Sequence, residues 1–420
     1  MDVIAINGGK TLNGTVTTSG SKNAALPILF ATLLAEGTHQ FHNIPRLCDI
    51  DSTELLLRYL NCETSRKGHS IHITVSRPKK LIAPYELVRK MRASILCLGP
   101  LLSRYGEARV SLPGGCAIGS RPVNLHIEPL RQMGAEIEIE NGYVSARTDK
   151  LVGEHIVFEN VTVGGTENIM MAATLARGTT VLENVAKEPE IADLARCLGK
   201  MGARIHGAGS SVITIEGVDQ LKPCEHRVIP DRIEAGTLLV AGAITGGDLR
   251  VENCAPADFD VLIKKLIECG FEIESGEDWV HIKACDEWRA VDIDTAPHPG
   301  FPTDLQAQFM ALMTQARGTS VISERIFENR FMHVQELVRM GAHITLKSQV
   351  AVVRGERGGL SGAPVMATDL RASACLVLAG LAAKGETVVS RIYHLDRGYE
   401  QLDQKLAGLG AQIERRAHSG

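Results

Sequence analysis

The sequence predicts an α/β architecture in two similar globular halves, from a repeated phrase, a set of buried helices and the strands between them. The phrase recurs as LRQMGAEI, LGKMGARI, LIECGFEI, LVRMGAHI and LAGLGAQI, with its glycines at Gly134, Gly202, Gly270, Gly341 and Gly410. Those positions are 68, 68, 71 and 69 residues apart, and LRYLNCET around Asn61 reads as a degenerate first copy 73 residues before Gly134. Six units of about 70 residues therefore fill the chain, a longer period than the ~20–50 residues usual in stacked solenoids.

Each unit opens with an alanine-rich helix that is apolar nearly all round, as a helix enclosed by other elements must be. These helices lie in SKNAALPILFATLLAEG, MRASILCLGPLLSRYG, TENIMMAATLARG, RIEAGTLLVAGAITGG, TDLQAQFMALMTQARG and TDLRASACLVLAGLAAKG. A β-type run follows, as in TTVLENV, DLRVENC, TSVISER and ETVVSRI. An amphipathic helix then leads into the repeated glycine, which suits a helix C-terminus. Alternating runs such as VITIEG and WVHIKA close the unit.

Composition narrows the function. The 420 residues are 44% hydrophobic and 22% charged, enough apolar material for more than one core. A net charge of −4 argues against a nucleic-acid partner. Ten cysteines lack CxxC spacing, and the HxxH pairs His39/His42 and His69/His72 read as exposed strand histidines, so no metal site is expected. The start MDVIAINGGK lacks a signal-peptide pattern, and the apolar run from Cys375 to Ala383 is shorter than the ~20 residues of a membrane span. The expectation is a cytoplasmic protein with reduced cysteines and no membrane partner.

The starts of the buried helices carry the chemistry. They hold Lys22-Asn23, Arg92, Thr166-Glu167-Asn168, Asp231-Arg232, Thr303-Asp304 and Asp369-Leu370-Arg371. Capping accounts for Thr303 and Asp369. It does not account for Lys22, Arg92 or Arg371, because a cation at the positive end of a helix is mildly unfavourable; an anionic ligand there is the better reading. In SLPGGCAIGSRPVNLH, Cys116 stands among Gly114, Gly115 and Gly119 with Arg121 and His126 behind it, the makings of a reactive thiol on a lid-like loop. The other nine cysteines read as packing residues, Glu188 and Glu190 as capping or exposed carboxylates. Arg330 and Arg397 could complete a multi-arginine pocket for phosphate and carboxylate. No Walker loop or dinucleotide fingerprint appears.

Taken together, GSKNAALPIL, MRASI, LPGGCAIGSRPVNLH, AKEPEI, PDRIEAGT, FPTDLQAQF, FENRFMHVQEL, MATDLRAS and IYHLDRGYE resemble the enolpyruvyl transferase family, in its UDP-sugar branch, over essentially the whole chain. The resemblance implies two inside-out α/β barrel domains of three repeats each: 1–21 with 230–420, and 22–229. Their helix starts are expected to face an interdomain cleft. It implies transfer of the enolpyruvyl group of phosphoenolpyruvate to the 3′-hydroxyl of UDP-N-acetylglucosamine, in peptidoglycan synthesis, without metal or organic cofactor.

By the same resemblance, Cys116 protonates C3 of phosphoenolpyruvate and Asp304 is the base for the sugar hydroxyl. Lys22, Arg121 and Arg397 contact phosphate and carboxylate with Asn23 beside them, and Arg92, Arg330 and Arg371 line the same cationic site. The UDP-sugar is expected along Arg121, Pro122, Val123, Asn124 and Leu125, along Asn160, Val161, Thr162 and Val163, and at Asp304 and Ile326. Asn124 and Asn160 depart from the aspartate and lysine usual in the family. The alternatives are a sister enzyme acting on shikimate 3-phosphate and a non-catalytic UDP-sugar-binding regulator.

Overall fold

A computed structural model describes residues 2–89, 91–112 and 123–417. The sequence calls on Cys116, Arg121 and Pro122 lie outside the described residues. The chain folds into two compact units, one of residues 2–19 and 230–417, the other of residues 20–112 and 123–229. The chain passes between them at 19/20 and 229/230.

Six inner helices correspond to the six apolar segments: α1 (Lys22–Ala31), α2 (Leu98–Tyr105), α3 (Val163–Ala173), α4 (Arg232–Thr245), α5 (Thr303–Met313) and α6 (Leu370–Ala382). Segment MRASILC, read as part of one helix, instead forms a tighter 3₁₀ stretch, Arg92–Cys97, that feeds α2. In the first unit α4, α5 and α6 pack on one another; in the second, α2 and α1 pack on α3. Every residue of α4 from Arg232 to Ile244 is buried. Each fully buried Leu or Ile contributes ~1.5–3 kcal/mol, so this core needs no amphipathic stripe.

Around each trio lie three four-stranded sheets, all with one pattern: an edge strand parallel to its neighbour, then two antiparallel pairings. Three sheets come from continuous stretches; Ile293–Asp294, Gly318–Ser323, Val350–Gly355 and His343–Lys347 make one of them. The other three borrow strands. Glu225–Arg227 pairs in parallel with Gly37–His42, Asn13–Thr17 with Asp248–Glu252, and Asp2–Asn7 inserts between Glu386–Ser390 and Gln412–Ala417. The chain's first strand thus completes its last repeat.

The repeated phrase has a backbone reason. Gly134, Gly202, Gly270, Gly341 and Gly410 all adopt positive φ, from 92° to 112°, where the outer helix gives way to a strand. Asn61 takes the same place at φ 69°. Asparagine is the side chain that best tolerates this left-handed conformation, so the degenerate copy keeps the geometry.

Candidate active site

In the unit of residues 2–19 and 230–417, the site is built on Asp304, the second residue of α5. Its Oδ1 accepts a 2.7 Å hydrogen bond from Arg330 Nη2, and its Oδ2 a 2.9 Å bond from Arg371 Nη2. Both guanidinium groups are buried while the carboxylate keeps some exposure. Burial alone would raise the Asp304 carboxyl; Arg371 and then Arg330 outweigh it and hold it far below the usual carboxylate range. Asp304 is therefore a fixed anion gripped by two cations.

Those cations are themselves positioned. Asp369 caps α6, accepting from the Arg371 and Ala372 amides at 2.7 and 3.0 Å, and the Arg371 guanidinium lies 5.4 Å from the Tyr399 ring centroid. The Tyr399 hydroxyl shares a buried network with Thr237 and Gln308, at 3.0 Å from each. Asp231 caps α4 through the Ile233 and Glu234 amides and acts electrostatically on Arg371. The starts of α4, α5 and α6 thus converge. Arg397 ends the 3₁₀ stretch Ile392–Arg397, half-buried; burial first, and Arg397 after it, depress the His394 pKa.

The sequence reading overlooked Glu324. This buried carboxylate accepts from Thr295 Oγ1 and the Ile326 amide, both at 2.9 Å, from the Phe327 amide at 3.2 Å, and from Thr303 Oγ1 at 2.9 Å. It ties the loop carrying Ile326 to the start of α5. Thr303 accordingly does not cap its helix: Pro302 holds the cap position, and the Thr303 hydroxyl is spent on Glu324. Four donors converging on one glutamate in SVISERIF is a pattern visible only in three dimensions.

In the other unit, Lys22 is the first residue of α1, and its Nζ lies 3.2 Å from Asp49 Oδ2, both side chains buried. Asn23 follows, half-buried, and Ser21 caps the helix through the Ala24 amide. Asp49 was not singled out in the sequence, where CDIDSTE reads as an ordinary acidic helix start.

The two segments expected to take the UDP-sugar adjoin one another. Asn124 opens the helix Asn124–Gln132, and Thr162 caps α3 through the Gly165 amide at 3.2 Å. A Cβ placed on Gly165 would lie 3.1 Å from the Leu125 carbonyl oxygen, and one on Gly164 would lie 3.2 Å from His126 Cε1. Val123 and Leu125 are half-buried, Asn124, Asn160 and Val161 exposed, Thr162 and Val163 half-buried. Val123 and Asn124 also border a surface pocket of about 320 Å³ with Ile127, Glu128, Arg131 and Ile139. Beneath them, Asn168 accepts from the Gly99 amide at 2.8 Å and reaches His126 Nδ1 at 3.1 Å. Burial, and next the half-buried Arg92, lower the His126 pKa to about 4.

Three further sequence readings need correction. Glu190 is neither a cap nor exposed: it is buried, Glu188 holds the cap position without a side-chain cap bond, and both push up the buried Glu167 after desolvation has already raised it. His39 is fully buried although His69 is exposed, because alternation along Gly37–His42 turns position 39 to the core. Among the other cysteines, Cys48 is exposed and Cys224 and Cys285 half-buried, so packing does not describe all nine. Among the described residues no group of three or more His, Cys, Asp or Glu is placed to hold a metal ion, and no helix is long and apolar enough to cross a membrane.

In the unit of residues 2–19 and 230–417 the inner helix starts gather two guanidinium groups about one carboxylate, the makings of a site that handles anions. The chain belongs to the EPSP synthase (3-phosphoshikimate 1-carboxyvinyltransferase) family, whose model matches residues 6–406. It is 65% identical over 412 residues to the UDP-N-acetylglucosamine 1-carboxyvinyltransferase of Bdellovibrio bacteriovorus, covering 98% of this chain and 100% of that one. With the protein of the same name from Myxococcus xanthus it shares 56% identity over 424 residues, 99% of each chain. Among solved structures it is similar to the enolpyruvyl transferase NikO from Streptomyces tendae, with TM-score 0.88 and 25% identity over 99% of this chain and 98% of that one. EPSP synthase from Acinetobacter baumannii shares the fold, with TM-score 0.77 and 19% identity over 99% and 100%.

Proposed function

We propose that this protein transfers the enolpyruvyl group of phosphoenolpyruvate to the 3′-hydroxyl of UDP-N-acetylglucosamine and releases phosphate, an early step in making peptidoglycan. The observation that carries the reading is the 65% identity, over essentially the full length of both chains, to a relative named for that reaction. The position of Asp304 between the buried guanidinium groups of Arg330 and Arg371 supports it.

In this reading Lys22, Arg121 and Arg397 take the phosphate and carboxylate of phosphoenolpyruvate, with Asn23, Arg92, Arg330 and Arg371 adding hydrogen bonds or positive charge. Cys116 delivers a proton to C3, which leaves C2 electron-deficient. The sugar oxygen then bonds to C2 and its proton passes to Asp304. A carboxylate held as strongly ionised as Asp304 is a weak base, so it first orients the hydroxyl. Proton transfer follows only once the attacking oxygen has become acidic. Loss of a proton from C3 and departure of phosphate complete the enol ether. The segments Arg121 to Leu125 and Asn160 to Val163, with Asp304 and Ile326, receive the nucleotide sugar.

The deciding experiment measures phosphate release from phosphoenolpyruvate with each acceptor. Release with UDP-N-acetylglucosamine and none with shikimate 3-phosphate is expected; the reverse would assign the chain to the sister reaction. Binding of the UDP-sugar without any release would mark a regulator.

A further inference from the structure

A pair of thiols stands apart from this chemistry, in the unit of residues 20–112 and 123–229. Cys197 lies on the outer helix Pro189–Met201 and Cys224 immediately precedes the edge strand Glu225–Arg227. Their sulfurs are 3.8 Å apart, in van der Waals contact, although 27 residues separate them. Cys197 is fully buried and Cys224 half-buried, so one thiol faces reagents and the other waits behind it. We propose that Cys197 and Cys224 form a reversible redox site, with Cys224 the thiol attacked by peroxide and Cys197 the resolving thiol.

The chemistry balances without any group beyond the oxidant. The Cys224 thiolate attacks one oxygen of a hydroperoxide; the O–O bond breaks, water or an alcohol leaves after taking up a proton, and Cys224 becomes a sulfenic acid. The Cys197 sulfur then bonds to Cys224 and expels the sulfenic oxygen as water, its own thiol proton accounting for the second hydrogen. A small dithiol reverses the reaction by exchange.

The surroundings favour this direction. The contact between the two sulfurs, aided against desolvation by the neighbouring His39 ring, holds the Cys224 thiol below the usual thiol range and Cys197 above it. The buried cysteines Cys97 and Cys62 are pushed the other way, to about 12, chiefly by desolvation. The backbone is already clamped there. Asp193, one turn before Cys197, holds His226 Nε2 at 3.0 Å and the Ile229 amide at 3.2 Å, while the Lys222 amide bonds to the Met201 carbonyl at 2.9 Å. The helix and the 222–229 segment are thus held side by side from both flanks, so the bond can form with little backbone movement.

The test uses the full chain, reduced and freed of reductant, then exposed to hydrogen peroxide, alkylated under denaturing conditions and mapped by peptide mass spectrometry. Cys197 and Cys224 should leave the alkylated pool together as one cross-linked peptide pair, return on treatment with dithiothreitol, and leave Cys97 and Cys375 alkylated throughout. In Cys197→Ser, Cys224 should be trapped by dimedone as a sulfenic acid without a cross-link. Basal turnover of this variant, measured in reductant, should be unchanged. Recovery of both cysteines in alkylated form, after peroxide sufficient to oxidise free cysteine in the same tube, would overturn the proposal. So would a cross-link from Cys224 to any other cysteine.

Discussion

Arg371 and Asp304 come from different inner helices, yet the guanidinium of one lies 2.9 Å from the carboxylate of the other. The contact is held from behind by the Asp369 cap and by the Tyr399 ring, so neither partner is free to turn away. Its effect is to keep Asp304 ionised against a desolvation that would otherwise protonate it.

Removing that partner should show in the pH profile. Among the described residues Arg371→Gln leaves Arg330 as the guanidinium bonded to Asp304, so the carboxyl should titrate higher. With burial then opposed chiefly by Arg330, the Asp304 titration should rise from below the working range to become an acid limb of kcat/KM that the parent lacks, each pH unit of the rise being about 1.4 kcal/mol, alongside a fall in turnover. A profile that falls in amplitude but gains no new acid limb would show that Arg371 does not set the ionisation of Asp304.

Lys22 and Asp49 offer a separable pair. Lys22→Ala removes the cation proposed to meet phosphoenolpyruvate, and calorimetry should record a loss of its binding of about 100-fold, in line with a buried charged hydrogen bond worth ~1.5–3 kcal/mol. Asp49→Ala keeps the ammonium but removes a buried counter-charge 3.2 Å away, which should cost about 3 kcal/mol of stability in denaturant unfolding. Unchanged phosphoenolpyruvate affinity in Lys22→Ala would remove Lys22 from the site.

These pairs show what could and could not be read before folding. Lys22, Arg92 and Arg371 stood out because each breaks the rule against cations at a helix start, and a local rule broken at matching places in a repeat is visible in one dimension. Their partners were not visible. Asp49 sits in a run of acids that any surface helix could carry, and Glu324 looks like a polar residue ending a strand. What makes them structural is the convergence of donors from segments 21 to 29 residues away. The repeats were legible because a left-handed backbone position strongly favours glycine, and asparagine after it, whatever surrounds it. The borrowed strands were not, because the alternating pattern of Asp2–Asn7 says nothing of which sheet it completes.

Acid stability should be governed in part by His126. Asn168 offers its amide nitrogen to His126 Nδ1, since its oxygen is already taken by the Gly99 amide. Nδ1 must then be unprotonated. The folded pKa is lowered from 6.5 to about 4, so the unfolded chain binds the proton first. Stability is complete above pH 6.5 and falls as the pH drops towards 4. The loss from this one group should approach about 3 kcal/mol. His126→Gln should flatten the thermal-unfolding curve over that window; an equally steep decline in the variant would place the acid lability elsewhere.

The glycine at each repeat boundary gives a prediction about the fold alone. Gly202 sits at φ 106° with nothing within 4 Å of where a Cβ would stand, so the cost of a side chain there is conformational and not steric crowding from neighbours. Gly202→Ala should lose about 1–2 kcal/mol, the penalty for an L-residue in the left-handed region, and Gly202→Asn should lose less. The reciprocal change, Asn61→Gly, relieves a residue at φ 69° whose side-chain amide donates to the Arg77 carbonyl at 2.9 Å. The relief and the lost bond oppose each other, so stability should stay within about 1 kcal/mol of the parent. Equal losses for Ala and Asn at 202 would mean that side-chain bulk, and not backbone handedness, selects glycine in the repeat.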